Sequence, residues 1–323
     1  MRIVVTGGGG FIGGSVVRRL AARGDQVVAL VRDPAKAAGL AGPNVELVAS
    51  DLSDTTSIAA QLAGADALIH GAGSYKVGIA AAERPAMWDA NVGTTERVLA
   101  AAAAAGTPRV AYVSTVGIFG DTHGREVDET YRRDPKDGFL SCYDETKFRA
   151  HEIAEAAIAA SLPLVIAQPG QVYGPGDHTE IGQMVGDAYR GTLRYVALAG
   201  VALEMAHVDD TAAGIVAALD RGRIGEAYVV AGEPHTLESA VAVAARVGGH
   251  APPRLRVPTG VLRAFAPIND RLGGLPGMPA NLRETIAAAQ ATFLASHDKA
   301  ARELGFAPRS LEQGIADTFG VHS

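Results

Sequence analysis

The stretch Ile3-Val4-Val5-Thr6-Gly7-Gly8-Gly9-Gly10-Phe11-Ile12-Gly13 decides the fold. A short run of β-branched residues breaks into glycines, and an amphipathic pattern over 11–23 follows directly. Strand, glycine turn and helix in that order form a cradle for a dinucleotide pyrophosphate. Gly7, Gly10 and Gly13 are spaced three apart, and Gly8, Gly10 and Gly13 also satisfy the shorter G-x-G-x-x-G spacing. One glycine makes the tight turn, one lets the backbone approach the phosphates, and one lets helix and strand pack closely.

Outward from that turn, short apolar runs alternate with helical periodicity. Strands are expected at 3–5, 27–31, 45–48, 67–69, 110–113 and 164–167, with helices at 11–23, 55–62, 85–105 and 143–160. This rhythm predicts an α/β chain with a Rossmann-type doubly wound parallel sheet. After Pro169 the rhythm breaks. Residues 171–177 read as a Gly/Pro-rich turn, 211–219 as a helix, 227–230 and 254–257 as strands, with further breaks at 252–253 and 273–279. The expected division is a dinucleotide-binding domain over 1–170, rejoined by 206–232, and a smaller substrate-binding lobe from 171–205 and 233–323.

Bulk composition narrows the function classes. The 323 residues carry a formal charge of −6 and are 48% apolar and 20% charged, an ordinary globular balance. That charge gives no general attraction to nucleic acid or to an anionic membrane. One cysteine, Cys142, cannot close an internal disulfide, and no basic segment precedes a long apolar run at the N-terminus, so a cytoplasmic location is expected. The alanine run 100–105 is flanked by charge, Gly and Pro and does not make a membrane span. No metal-ligand spacing is present, and no metal is expected.

Tyr143 and Lys147 lie four apart on a predicted helix and so share one face. A free phenol, with a pKa near 10, is a poor acid at neutral pH, and a neighbouring ammonium is expected to pull it down. Ser114-Thr115 ends the fifth predicted strand, on the sheet edge where ligands of doubly wound folds bind. Cofactor choice rests on the end of the second strand, Val31-Arg32-Asp33. Arg32 suits the 2′-phosphate of NADP; Asp33, displaced by two residues, could instead hold the ribose of NAD. Tyr75 and Trp88 either line a substrate mouth or fill core.

Ordered motifs give the chain a family resemblance. Beside Thr6 to Gly13, Asp51-Leu52 resembles an acid-plus-apolar pair that meets adenine. His70-Gly71-Ala72-Gly73 resembles H-x-A-A, and Asn91-Val92-Gly93-Thr94-Thr95 resembles N-V-x-G-T. Tyr112-Val113-Ser114-Thr115 with Phe119-Gly120, Pro169-Gly170-Gln171-Val172-Tyr173-Gly174, and His207-Val208-Asp209-Asp210 complete the series. The chain thus resembles an extended short-chain dehydrogenase/reductase of the NAD-dependent epimerase/dehydratase superfamily, in its dihydroflavonol-reductase-like branch. Gly73, Thr94 and Thr146 depart from the usual Ala, Gly and Ser.

The resemblance implies Tyr143, Lys147, Thr115 and Asn91 as catalytic residues, with Asn91 holding a relayed water. It implies a cofactor site of Thr6, Gly7, Gly10, Phe11, Ile12, Gly13, Arg32, Asp51, Leu52, His70, Ala72, Gly73, Tyr143, Lys147, Pro169, Gly170 and Val172. His70 and His207 have the alternative reading of packed histidines, and Asp209 and Asp210 that of an N-cap and first-turn charges. The expected activity is NADP-dependent reduction of a ketone or aldehyde to an alcohol, with Tyr143 as proton donor. The alternative is a nucleotide-sugar epimerase or dehydratase that retains NAD(P). Glu204, in a stretch lacking arginine, is expected to repel a sugar diphosphate. The expected partners are a small carbonyl or alcohol substrate and a second copy of the chain, pairing through the helices at 85–105 and 143–160.

Overall fold

A computed structural model describes residues 1–275 and 278–320. Two positions of the expected 273–279 break, and the last three residues of the expected lobe, lie outside the described residues.

Seven parallel strands build the main sheet: β1 (Arg2–Thr6), β2 (Gln26–Val31), β3 (Val45–Ala49), β4 (Ala67–His70), β5 (Val110–Val113), β6 (Leu164–Pro169) and, after three strands outside it, β10 (Ala227–Val230). Their spatial order is β10-β6-β5-β4-β1-β2-β3, so the winding reverses between β1 and β4. The strands are almost wholly apolar because helices cover both faces. On one face α1 (Phe11–Ala22) and α7 (Val208–Arg221) bury Val16, Leu20, Ile215 and Leu219 against β1, β2 and β6. On the other, α2 (Thr55–Leu62), α4 (Thr94–Ala104) and α5 (Cys142–Ala159) bury Ile58, Val98, Ala150 and Ala154.

The helix expected at 85–105 is not uniform. A short α3 (Arg84–Trp88) passes into a π-helical turn, Asp89–Gly93, before α4 begins. Gly93 belongs to that turn because a Cβ there would meet the Asp89 carboxylate at 2.6 Å, beneath the Asp89–Arg97 ion pair.

Outside the sheet, β7 (Gln171–Tyr173), β9 (Ala202–His207) and β11 (Pro234–Thr236) form a second sheet, and β8 (Tyr195–Ala197) pairs with β12 (Leu255–Val257). The turn expected at 171–177 is therefore partly strand: Gln171, Val172 and Tyr173 pair with Met205, Ala206 and His207. Around them α6 (Glu180–Tyr189), α8 (Leu237–Val247) and α12 (Leu311–Phe319) share a separate apolar core. Helices α9 (Thr259–Arg271) and α10 (Leu282–Gln290) pack on each other, and α11 (Asp298–Leu304) lies on α7.

His207-Val208-Asp209-Asp210 starts α7 one turn earlier than expected. His207, not an aspartate, is the N-cap, its Nδ1 accepting from the Asp209 N–H at 3.2 Å. Ser15 donates to Asp209 at 2.5 Å, and Arg309 clasps Asp210 through Nε and a terminal nitrogen, each at 2.9 Å. The motif stitches α7 to α1 and to the start of α12. Among the described residues no helix is long and apolar enough to cross a membrane.

Candidate active site

Parallel strands put every strand's carboxyl end on one edge, and the predicted site residues gather there. At the winding reversal, Gly7 has a φ of +73° and approaches Ala72 so closely that a Cβ would sit 2.8 Å from its backbone. Gly10 donates to the Gly7 carbonyl at 2.9 Å, and a Cβ on Gly13 would fall 2.1 Å from that same oxygen. Gly10 is the N-cap of α1 with no side chain of its own, and the first turn carries no acid. The leading N–H groups of a 12-residue helix are thus open to an anion, and the cradle fits a pyrophosphate.

Asp51 and Leu52 follow β3 at the far end of this edge. Asp51 is exposed, with its carboxylate turned to the Ser53 N–H and hydroxyl. Those two bonds hold it below the usual carboxylate range. Leu52 is buried at a φ of 60°, a left-handed conformation uncommon for a branched residue. After β2, Asp33 accepts from the Ala35 N–H at 3.0 Å and lies 3.7 Å from the Lys36 ammonium. Its carboxylate serves its own turn, while Arg32 beside it is exposed.

Two expected cofactor contacts lie behind the cradle rather than in it. His70 is fully buried, with Nδ1 2.7 Å from the Thr6 hydroxyl and Nε2 3.1 Å from that of Thr95. Burial, with the Lys147 charge acting the same way, pushes this imidazole down to about 3 and keeps it neutral. Thr6 is equally buried and also accepts from the Ala72 N–H at 3.3 Å. Neither side chain has a surface to offer a dinucleotide. They hold the Gly7 and Ala72 backbones together.

The catalytic candidates converge beside β5. Ser114 is buried against His151 at 2.9 Å, which leaves Thr115 as the hydroxyl at the open end. Thr115 caps a 3₁₀ turn over Val116–Phe119 by accepting from the Gly117 N–H at 3.1 Å. Tyr143, in the first turn of α5, is half-buried. Burial raises its phenol above the ordinary range, and the hydroxyl of Thr115 opposes that rise. The expected depression by Lys147 is absent. The ammonium instead donates to the Val113 carbonyl at 3.1 Å and lies 5.3 Å from the centre of the Tyr112 ring. Burial brings Lys147 itself down to about 8.

Asn91 also departs from expectation. Its Oδ1 accepts from the Ser74 N–H at 2.7 Å, while Nδ2 donates to the Ser74 carbonyl at 3.1 Å and to the Thr146 hydroxyl at 2.9 Å. The amide is committed on both sides, tying the loop after β4 to the turn of α5 that bears Tyr143. Gly73 is explained by the same tie, since a Cβ there would stand 3.0 Å from Asn91 Oδ1.

Gly170 closes the edge after β6, where a Cβ would meet the Glu204 carbonyl at 2.6 Å. Pro169 and Val172 flank it, both buried. The role expected of Glu204 is overturned. It is 4% exposed, its Oε1 accepts from the Ala295 N–H, and its Oε2 has no hydrogen-bond partner among the described residues. Burial, helped by Glu126 and Glu233, raises it to about 8, so near neutrality it carries a proton and repels nothing.

Residues 3–231 match the profile of the NAD dependent epimerase/dehydratase family. The chain belongs to that family. As an extended short-chain dehydrogenase/reductase it is 30% identical to a 4-hydroxy-2-methyl-3-oxo-4-farnesyl-3,4-dihydroquinoline-1-oxide ketoreductase of Stigmatella aurantiaca, over 97% of this chain and 94% of that one. Among solved structures it is similar to gox2253, with 33% identity and a TM-score of 0.83 over 99% of this chain and 97% of the other. It is also similar to the dTDP-glucose 4,6-dehydratase DesIV of Streptomyces venezuelae, solved with NAD and TYD bound. That likeness has 26% identity and a TM-score of 0.79 over 99% and 96% of the two chains. The family is NAD-dependent, and the DesIV dehydratase shares this fold.

Sequence reasoning left two features of this family member's site unplaced. Tyr75 stands edge-on to Tyr143, and Asp177 and Glu180 act on it electrostatically. Their motif-free surroundings carried no signal that they would meet.

Proposed function

We propose that this short-chain dehydrogenase/reductase is an NADP-dependent carbonyl reductase that converts a ketone or aldehyde to an alcohol. The observation that carries this is Tyr143: a half-buried phenol, raised by burial, beside Thr115 and on the same sheet edge as the glycine cradle. Burial makes this phenol a weaker acid than a free one, but it stays protonated at neutral pH, and the alkoxide that forms as hydride arrives is a stronger base than the phenolate and takes the proton.

When bound, the dinucleotide supplies the hydride. Gly7, Gly10 and Gly13 hold its pyrophosphate against the N-terminus of α1, with Phe11, Ile12, Ala72, Pro169, Gly170 and Val172 flanking it. Asp51 and Leu52 take the adenine end. The exposed Arg32 would take the 2′-phosphate, which favours NADP because Asp33 is engaged in its own turn. Thr115 and Tyr143 donate hydrogen bonds to the substrate oxygen, and Tyr143 then passes its proton to it. Lys147 keeps a positive charge behind that transfer. Asn91 positions the α5 turn rather than holding a relayed water. Residues 171–205 and 233–323 form the substrate lobe. The chain pairs as a homodimer through α4 and α5, where Ala100, Ala103 and Ala104 expose a flat stripe; sedimentation equilibrium tests this.

Tyr143→Phe is expected to lower kcat by about 10²- to 10⁴-fold while NADPH still binds. Undiminished reduction by that variant would overturn the mechanism. The likeness to DesIV keeps a nucleotide-sugar epimerase or dehydratase as the second reading. A reductase consumes NADPH turn by turn, whereas the alternative leaves nicotinamide absorbance unchanged.

A further inference from the structure

The ring of Tyr75 lies 4.8 Å from that of Tyr143, centre to centre, with the planes 86° apart. Tyr75 is nonetheless 57% exposed. One edge meets the proposed catalytic ring and the rest faces open space. That is an unusual disposition for an aromatic residue whose only task is to fill a core.

Its loop is pinned on both sides. Ser74 is fixed through both its N–H and its carbonyl by Asn91, and Lys76 is paired with Glu83 at 2.8 Å. Glu83 in turn accepts from the Ala80 N–H at 3.0 Å. The backbone beside the ring is therefore anchored at Ser74 and at Ala80. A carbonyl oxygen accepting from the Tyr143 hydroxyl sits about 2.7 Å from it. With the two rings in contact, the exposed part of Tyr75 borders the space open to the carbon skeleton attached to that oxygen.

Asp177, just before α6, and Glu180, its first residue, are near enough to Tyr75 to act on its phenol. Asp177 accepts from the Thr179 N–H at 2.8 Å, and its second oxygen is buried without a hydrogen-bond partner among the described residues. Both are carboxylates, so this wall disfavours an anionic substrate.

Resting on the reductase reading, we propose that Tyr75 is the specificity-determining wall of the site and that, with Asp177 and Glu180 nearby, it selects flat, uncharged carbonyl compounds. An aromatic or conjugated ketone stacks on the exposed ring, while a carboxylate- or phosphate-bearing one meets like charge.

Three probes of similar size test this with NADPH: acetophenone, cyclohexyl methyl ketone and 4-acetylbenzoate. The wild-type chain is expected to favour acetophenone over both others. Tyr75→Ala should raise KM for acetophenone about tenfold with kcat within about twofold, and change cyclohexyl methyl ketone little. Tyr75→Phe should retain the wild-type preference, because the ring and not the hydroxyl makes the wall. Glu180→Gln should improve kcat/KM for 4-acetylbenzoate severalfold relative to that for acetophenone. Equal losses on both neutral ketones with Tyr75→Ala, or no loss on either, would overturn the wall while leaving the reductase reading intact. Equal turnover of the anionic and neutral aryl ketones by the wild-type chain would overturn the acidic rim. No NADPH consumption by the wild-type chain with any of the three would overturn the reductase reading beneath both.

Discussion

Around Tyr143 burial outweighs the nearby cation. Tyr143 and Lys147 share a face of α5, yet Lys147 spends its charge on the Val113 carbonyl and the Tyr112 ring. The phenol consequently stays protonated, and the group that titrates near neutrality is Lys147, brought down to about 8. A lysine depressed in this way is charged below that pH and loses its charge as pH rises through it. If reduction needs both the ammonium and the phenolic proton, kcat/KM should be level from about pH 6 to 7 and fall above about pH 8, approaching tenfold per pH unit. Lys147→Arg should abolish that limb, because a guanidinium does not titrate there. A wild-type profile level to pH 9.5 would show that Lys147 does not govern the step. Arg32→Ala should raise KM for NADPH by about tenfold and leave NADH nearly unchanged, measured by initial rates with each cofactor. Equal effects on the two would remove Arg32 from the 2′-phosphate site.

At the scale of elements, the π-helical turn Asp89–Gly93 matters most. Such turns insert an extra residue into a helix and often occur at functional sites. Here the turn carries Asn91, whose amide joins the loop after β4 to α5. Asn91→Ala would leave the Ser74 backbone and the Thr146 hydroxyl short of partners. It is expected to cost about 2–3 kcal/mol of stability and to lower kcat more than it raises KM. Chemical denaturation and steady-state kinetics would read the two effects. A variant as stable and as active as the parent would refute the tie. The position of Asn91 was legible from its motif, but its partners were not. Hydrogen bonds to Ser74 and Thr146 span 17 and 55 residues of sequence, and local spacing carries no record of them. Strand and helix positions were far more legible, since alternation and helical periodicity are local properties. Beyond the broken 85–105 helix and the early start of α7, one exception was 171–173, which looked like a turn and became β7 because β9 lay ready to pair with it.

Across the whole molecule, Glu204 shows how tertiary burial reverses a sequence inference. Read in its stretch it is a lone charge; in the fold it is a protonated acid under the Ala295 backbone, close to Glu126 and Glu233. Its folded value of about 8 lies above the ordinary 4.5, so the folded state keeps a proton that the unfolded chain gives up. The stability this supports is complete below about pH 4.5 and is lost as pH rises through about 8, a span worth roughly 5 kcal/mol. Glu204→Gln should flatten that decline and raise stability at pH 8 relative to the parent, as urea unfolding at pH 5 and pH 8 would measure. An unchanged pH dependence in the variant would mean that the buried carboxyl is not its source.

The chain alone determined the wound sheet, the glycine cradle and the pairing of a phenol with a cation four residues on. Each is set by short-range pattern: apolar periodicity, positions that only glycine tolerates, and the rise of a helix. The fold decided which groups keep their protons, which side chains face the open edge, and that Tyr75 comes to stand beside Tyr143. Burial and distant contacts set those properties, and they exist only once strands far apart in sequence lie side by side.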